Sequence, residues 1–211
     1  MNKNEKFVIT INRELGSGGR TVAQKLAEKL GVAFYDKALI QSLQEKYSLT
    51  VDEIEKLKGR SRSWWEDFKS VVRIGEPEVR YYQNKMGLEP ERLTSADVFA
   101  AETEILKGIA EAESCVITGR SGFHVFRDHP NHLSILIQAS KPFRVERVAS
   151  KQGMTPKEAE KIIDKIDKMR ENYVNEYTGT SRYDTRNYQL VIAADGKTED
   201  EIVELILNYI G

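Results

Sequence analysis

"ITINRELGSGGRTVAQKLAEKLG", residues 9–31, decides the fold. A β-like run from Phe7 to Asn12 leads into the glycine-rich turn Gly16-Ser17-Gly18-Gly19 and then into a helical pattern. Strand, glycines and helix in that order are what a phosphate-binding loop requires. Backbone N–H groups must converge on the anion, glycines must let the chain wrap closely, and a helix N-terminus must stand behind. The usual pattern is G-x-x-x-x-G-K-[ST]. Aligned on Gly19-Arg20-Thr21, it finds Glu14 where the first glycine belongs and Arg20 in place of lysine. Taken alone, the stretch reads either as a phosphate cradle with a substituted cation or as a plain glycine-rich β–α turn. Arg20 can still neutralise phosphate charge, forking to two oxygens where lysine makes a point contact. Thr21, in the first helical turn, offers a hydroxyl to Mg²⁺.

Outward from this stretch, short apolar runs alternate with longer amphipathic ones. Strands are predicted at Phe7–Asn12, Val32–Tyr35, Cys115–Thr118, Leu133–Gln138 and Leu190–Ala193. Each is continuously apolar, as strands buried on both faces of a parallel sheet are. Helices are predicted at Arg20–Leu30, Lys37–Glu45, Ala96–Ala112, Pro142–Lys151, Pro156–Tyr177 and Glu199–Tyr209. The alternation implies βαβ units, a parallel sheet and helices on both faces. Ligands in such sheets bind at the carboxyl ends of strands, where the glycines fall.

Two segments break the alternation. Residues 48–92 form a long charged insert containing "GRSRSWWEDFKSVVR" and "YYQNKMGLEPER". Arg60, Arg62, Arg73 and Arg80 there read as a solvated face or as contacts to an anionic acceptor. Trp64, Trp65 and Phe68 have a spacing that suits packing of the insert or a dimer contact better than base stacking. The polar stretch "TGTSRYDTRN", residues 178–187, follows a long charged helix in which Asp164 and Lys168, and Asp167 and Glu171, sit at helix-supporting spacings.

Composition sets further bounds. With 211 residues the chain is one domain long. A net charge of −1 argues against a nucleic-acid polymer or an anionic membrane as partner. Its single cysteine, Cys115, lies in an apolar run that suits a buried structural thiol. There is no apolar stretch long enough to span a membrane, and the N-terminus runs into a strand without a hydrophobic signal segment, so a cytoplasmic protein is expected. His124, His129 and His132 read as surface or structural groups.

Three stretches, "VITINRELGSGGRTVAQKLAEKLGVAFYDKALI", "CVITGRSGFHVFRDHPN" and "MRENYVNEYTGTSRYDTRNYQLVI", resemble in order and spacing the cytidylate kinase-like family of P-loop proteins. More distantly they resemble true bacterial cytidylate kinases. In this family the S/N-R-E-x-G-S-G-G-R opening is usual, so Arg20 looks like a family feature. The resemblance implies an α/β fold, the P-loop NTPase three-layer αβα sandwich. It would have a five-stranded parallel sheet, a helical acceptor-binding insert (48–92) and an arginine-bearing lid (155–187), in a single domain over 1–211.

The resemblance also implies roles. Gly16, Ser17, Gly18, Gly19, Arg20 and Thr21 would cradle the phosphates of ATP, with Mg²⁺ on Thr21. Arg120 matches a position that contacts the acceptor nucleotide; the acidic residue that follows it in the true kinases is Ser121 here. Arg170 falls in the lid helix where arginines grip transferring phosphates, and Arg182 and Arg186 follow in the loop. Asp36, ending the second strand, would bind acceptor hydroxyls or orient water on Mg²⁺, and it equally suits an N-cap for the helix from Lys37.

The expectation is ATP- and Mg²⁺-dependent phosphoryl transfer to a nucleoside monophosphate such as CMP or dCMP, with Arg20, Arg120, Arg170 and Arg182 acting on the phosphates. An acceptor phosphate is already ionised at neutral pH, so no general base is required. Two alternatives remain: a kinase for a non-nucleotide metabolite, and a nucleotide-binding module without catalysis. The partners expected are the nucleotide and a small-molecule acceptor, with the 48–92 insert a candidate contact for a homo-oligomer.

Overall fold

Parallel pairing of short apolar strands organises the molecule. The structure, a computed structural model, describes residues 1–36 and 96–211. The predicted helix Lys37–Glu45, the 48–92 insert, its arginines and the Trp64-Trp65 pair lie outside the described residues. Five strands, β1 (Val8–Arg13), β2 (Ala33–Tyr35), β3 (Cys115–Thr118), β4 (His132–Gln138) and β5 (Leu190–Ala193), form one sheet in the order β2-β3-β1-β4-β5. Every pair is parallel: Ile9 lies opposite Val116 on one side and Leu133 on the other.

The helices are α1 (Gly19–Leu30), α2 (Ala96–Ala112), α3 (Gly122–Val125), α4 (Lys141–Gln152), α5 (Pro156–Thr178) and α6 (Glu199–Ile210), with a 3-10 turn at Thr185–Asn187. On one face, Val22, Ala23 and Leu26 of α1 and Ile202, Val203 and Ile206 of α6 pack on Ile9, Ile11, Ile135 and Ile137. Ile105, Leu106 and Ile109 of α2 cover the other face against Val8, Cys115 and Ile117. The sheet is therefore buried on both sides, which is why its strands read as unbroken apolar runs. Lateral to it, α4 and α5 join through Val148, Ala159, Ile163 and Ile166, and Leu15 of the glycine loop inserts among them.

Among the described residues, the predicted elements recur with small shifts at their ends. β1 extends one residue further, so Arg13 is its last residue, paired opposite Ile137. Short α3 and the 3-10 turn were not expected from periodicity, since neither is long enough to show a helical repeat. The charges of α5 also differ from a helix-supporting pattern. Asp164 pairs with Lys141 of α4, Asp167 is buried, and Glu171 accepts from Ser181 Oγ at 2.7 Å. Cys115 is buried, and burial pushes its thiol up to about 12, as a structural thiol would be. Among the described residues, no helix is long and apolar enough to cross a membrane.

The chain leaves β1 toward β2 on one side and leaves β4 toward β5 on the other. A crevice at the carboxyl ends of β1 and β4 follows from that reversal, and the glycine loop stands in it.

Candidate active site

The loop begins where β1 ends. Gly16 has φ +88° and Gly18 φ +82°, left-handed values that side-chain-bearing residues avoid, and Gly18 caps α1. Space restricts the loop as well: a Cβ on Gly16 would lie 2.8 Å from the carbonyl oxygen of Arg144. The first turn of α1 holds no acidic residue, so its positive end stays open to an anion. Glu14, where a glycine is usual, borders the cleft but is engaged as a brace. Its carboxylate accepts the backbone N–H of Ala139 at 2.9 Å and tacks the loop to the end of β4. Gly16, Gly18, Gly19, Arg20 and Thr21 line a cleft of about 160 Å³, closed on its far side by Arg147, Val148 and Lys151 of α4. Ser17 is buried, its hydroxyl donating to the Glu14 carbonyl at 2.9 Å, so it braces the loop.

The Arg20 guanidinium is held by Asp36 at the border of this cleft. Its Nε donates to Asp36 Oδ2 at 2.9 Å and its Nη2 lies 2.8 Å from the same oxygen, with the guanidinium over the Phe34 ring. Two predicted site residues are thus brought together as an ion pair. Thr21 lies in the first turn of α1, half-buried, where its hydroxyl suits an ion held mainly by phosphate oxygens and water. Among the described residues, no group of three or more His, Cys, Asp or Glu side chains stands ready to hold a metal by itself. Mg²⁺ carried in on nucleotide phosphates fits that donor set better than a protein-bound ion does.

Beside the loop is an arginine cluster. Asp167 of α5 accepts the backbone N–H of Leu15 at 3.1 Å, Arg144 Nη1 at 2.6 Å and Arg170 Nη1 at 3.2 Å; Arg182 Nη1 lies 3.7 Å away. Arg170 and Arg182 both donate to the carbonyl oxygen of Arg13. Arg182 is wholly inaccessible to solvent, yet among the described residues its Nε and Nη1 have no hydrogen-bond acceptor. Burial, then the neighbouring Arg170, lower its guanidinium below the ordinary value, against Tyr183 and Asp167. Three buried or half-buried arginines, Arg144, Arg170 and Arg182, surround Asp167, and Glu14 Oε2 lies 3.6 Å from Arg144 Nε. A charge excess of this kind is costly to bury unless an anion joins it.

Arg120 lies on the β3 side. It pairs with Glu102 of α2, donates to Tyr173 Oη at 2.9 Å and sits over the Tyr173 ring. Gly119, Arg120 and Ser121 all have positive φ, and the latter two are not glycines. Consecutive side-chain-bearing residues in that conformation store strain of the kind found at functional turns. Arg186 is not part of the cluster: it is exposed and paired to Asp184 at 2.7 Å. The histidines are also elsewhere, His132 bonded to Thr10 Oγ1 at 2.7 Å.

Sequence reasoning missed Arg13, Arg144, Asp167, Glu102 and Tyr173. Asp167 looked like one more helix charge, and only the approach of α5 to Leu15 reveals its place. Arg13 lies within the opening motif, whose pattern gives that position no role.

A parallel sheet in this order, a left-handed glycine loop at its switch point and a basic lateral helix pair define a P-loop kinase-like α/β protein. The chain belongs to the cytidylate kinase-like family, whose model matches residues 8–195. An uncharacterized protein from Eubacterium ventriosum is 27% identical, with a TM-score of 0.68 covering 97% of this chain and 98% of that one. Shikimate kinase from Bacteroides thetaiotaomicron shares the fold at 16% identity and a TM-score of 0.52, covering 97% of this chain and 98% of that one. An S-adenosylmethionine-dependent nucleotide dehydratase from Lacinutrix mariniflava is 24% identical over 208 residues, 97% of this chain. This chain spans 36% of that protein's length.

Proposed function

We propose that this protein transfers the terminal phosphoryl group of ATP, with Mg²⁺, to the phosphate of a nucleoside monophosphate, of the CMP or dCMP kind. The observation that carries this reading is Arg182, fully buried beside the glycine loop, whose Nε and Nη1 find no hydrogen-bond acceptor among the described residues. Phosphoryl transfer depends on positioning and on cations around the equatorial oxygens, and an arginine clamp beside a phosphate cradle supplies both. Bound Mg²⁺ would neutralise charge on the donor phosphates. Gly16 to Gly19 would hold those phosphates through backbone N–H groups, and Thr21 would orient the ion. Arg170 and Arg182 would close on the group in transfer, and Arg120, held by Glu102 and Tyr173, would fix the acceptor.

A phosphate acceptor suits the site better than a hydroxyl does. A hydroxyl acceptor wants a base, and Asp36, the carboxylate best placed for one, is engaged by Arg20. A nucleotide also agrees with the name of the longer Lacinutrix protein, whose stated substrate is a nucleotide. ADP release measured across nucleoside monophosphates and hydroxyl-bearing metabolites tests the reading. Turnover with CMP or another monophosphate is expected; turnover confined to hydroxyl acceptors would replace it with the metabolite-kinase alternative. ATP binding without turnover on any acceptor would leave a nucleotide-binding module.

A further inference from the structure

Arg20, in the place of the usual loop lysine, is held by Asp36. The cleft it borders has a second wall, α4, which contributes Arg147, Val148, Lys151 and Gln152. Arg147 and Lys151 are four residues apart and so share one face of that helix. The Arg147 guanidinium shows where the face points. It pairs with Glu199 at the start of α6, and a Cβ on Gly18 would lie 3.4 Å from its Nη2 and 3.5 Å from Glu199 Oε1. The face therefore meets the glycine loop at the cap of α1, where an anion is drawn.

Lys151 continues this face one turn further along. Its ammonium is close enough to Arg147 and Glu199 to feel both charges. Partial burial, then Arg147, lower it below the ordinary lysine value, and Glu199 offsets only part of that. Among the described residues Lys151 makes no hydrogen bond or ion pair, and Glu199 is taken by Arg147. Size bears on what enters the cleft. At about 160 Å³ it is smaller than the roughly 300–1,000 Å³ of pockets that enclose whole small molecules. A chain of phosphate groups suits such a space, with base and ribose outside it.

We propose that Lys151 is the cation that meets the donor phosphates from across the cleft, opposite the backbone N–H groups of the glycine loop. The charge that a loop lysine supplies from the first turn of α1 comes here from the last turn of α4. An ammonium on a flexible stem suits that place, because it reaches phosphate as a point charge and needs no fixed fork. Arg147, neutralised by Glu199, holds the same face of α4 against the loop. This inference rests on the phosphoryl-transfer reading for the identity of the donor.

Calorimetry with Mg·ATP and, separately, with CMP tests it. Lys151→Gln is expected to weaken Mg·ATP binding at least about tenfold while changing CMP binding less than about twofold. Lys151→Arg, which keeps the charge, is expected to return Mg·ATP binding to within about threefold of wild type. Lys151 is an exposed residue, so its replacement leaves the fold intact. A lysine in the last turn of α4 also answers the helix dipole, but that structural role would not produce a loss confined to one ligand.

Undiminished Mg·ATP binding in Lys151→Gln, an equal loss for Mg·ATP and CMP, or a loss that Lys151→Arg does not recover overturns the assignment and leaves the proposed function standing. Wild-type protein that binds Mg·ATP yet transfers to no acceptor removes the proposed function and leaves Lys151 on the donor. Failure of the wild-type protein to bind Mg·ATP removes both.

Discussion

Arg182 concentrates the tension between stability and chemistry in one side chain. A buried guanidinium with unanswered donors costs folding free energy, so truncating it need not weaken the protein. Asp167 keeps Arg144 and Arg170 as partners without it. For Arg182→Met, the melting temperature is expected to stay level or rise while kcat falls about 10²- to 10³-fold, as loss of one transition-state donor does elsewhere. Thermal melts and steady-state kinetics on the same preparation check this; a parallel collapse of both would make Arg182 a structural residue. Gly119 poses the opposite case. Its φ of +74° and the nearby Arg13 Nη1 both oppose a side chain. Gly119→Ala should destabilise by more than about 1 kcal/mol, and by more than Gly31→Ala, where φ is +66° but the space is open. Urea unfolding of the two variants decides. At this scale the sequence was only partly legible. The glycines declare the loop because their spacing is local. The Arg20–Asp36 and Arg120–Glu102–Tyr173 contacts join distant segments, and no local pattern encodes them.

Among the elements, the strands and long helices could be read from sequence because burial imposes their pattern. Strands covered on both faces must be apolar throughout, and helices covered on one face must be periodic. Ends are set differently, by single contacts such as the Arg13–Ile137 register or a capping hydroxyl. Helices α5 and α6 both begin with capping boxes, Thr155 with Glu158 and Thr198 with Glu201. Bonds from Thr155 hold Glu158 below its ordinary value, and those from Thr198 do the same for Glu201. A folded-state value that is depressed gives stability that is present above the unfolded value and lost as pH falls through the folded one. Glu201→Gln should therefore unfold at lower urea than wild type at pH 7. That gap should close as pH falls below the ordinary carboxylate value of 4.5. A gap that persists unchanged at pH 3 would mean that the ionised carboxylate contributes nothing to the cap.

For the molecule as a whole, a net charge of −1 conceals an uneven distribution. The carboxyl edge of the sheet gathers Arg13, Arg144, Arg170 and Arg182 around Asp167 and Glu14, whereas elsewhere charges pair one to one, as Lys25 with Asp200 and Lys29 with Glu204. Overall composition does not reveal a local cluster of arginines of this kind, because a sum over the chain carries no information about position. The amino edge of the sheet carries a different burden. His132 opens β4 and bonds Thr10 across to β1, on which Gly122 of α3 packs so closely that a Cβ there would lie 2.8 Å from Thr10 Cγ2. Burial, helped by His129, lowers the His132 ring from 6.5 to about 4, so the native protein holds it neutral while the unfolded chain takes a proton. Stability should be full above pH 6.5 and decline as pH falls toward 4, because the unfolded state binds the extra proton across that window. A depression of that size corresponds to about 3 kcal/mol by the bottom of the window. His132→Gln keeps a partner for Thr10 without the titration. Its urea-derived stability should be lower than wild type at pH 7, yet should fall less between pH 6.5 and 4.5. Equal slopes in the two proteins would show that His132 is not the group that makes this sheet acid-sensitive.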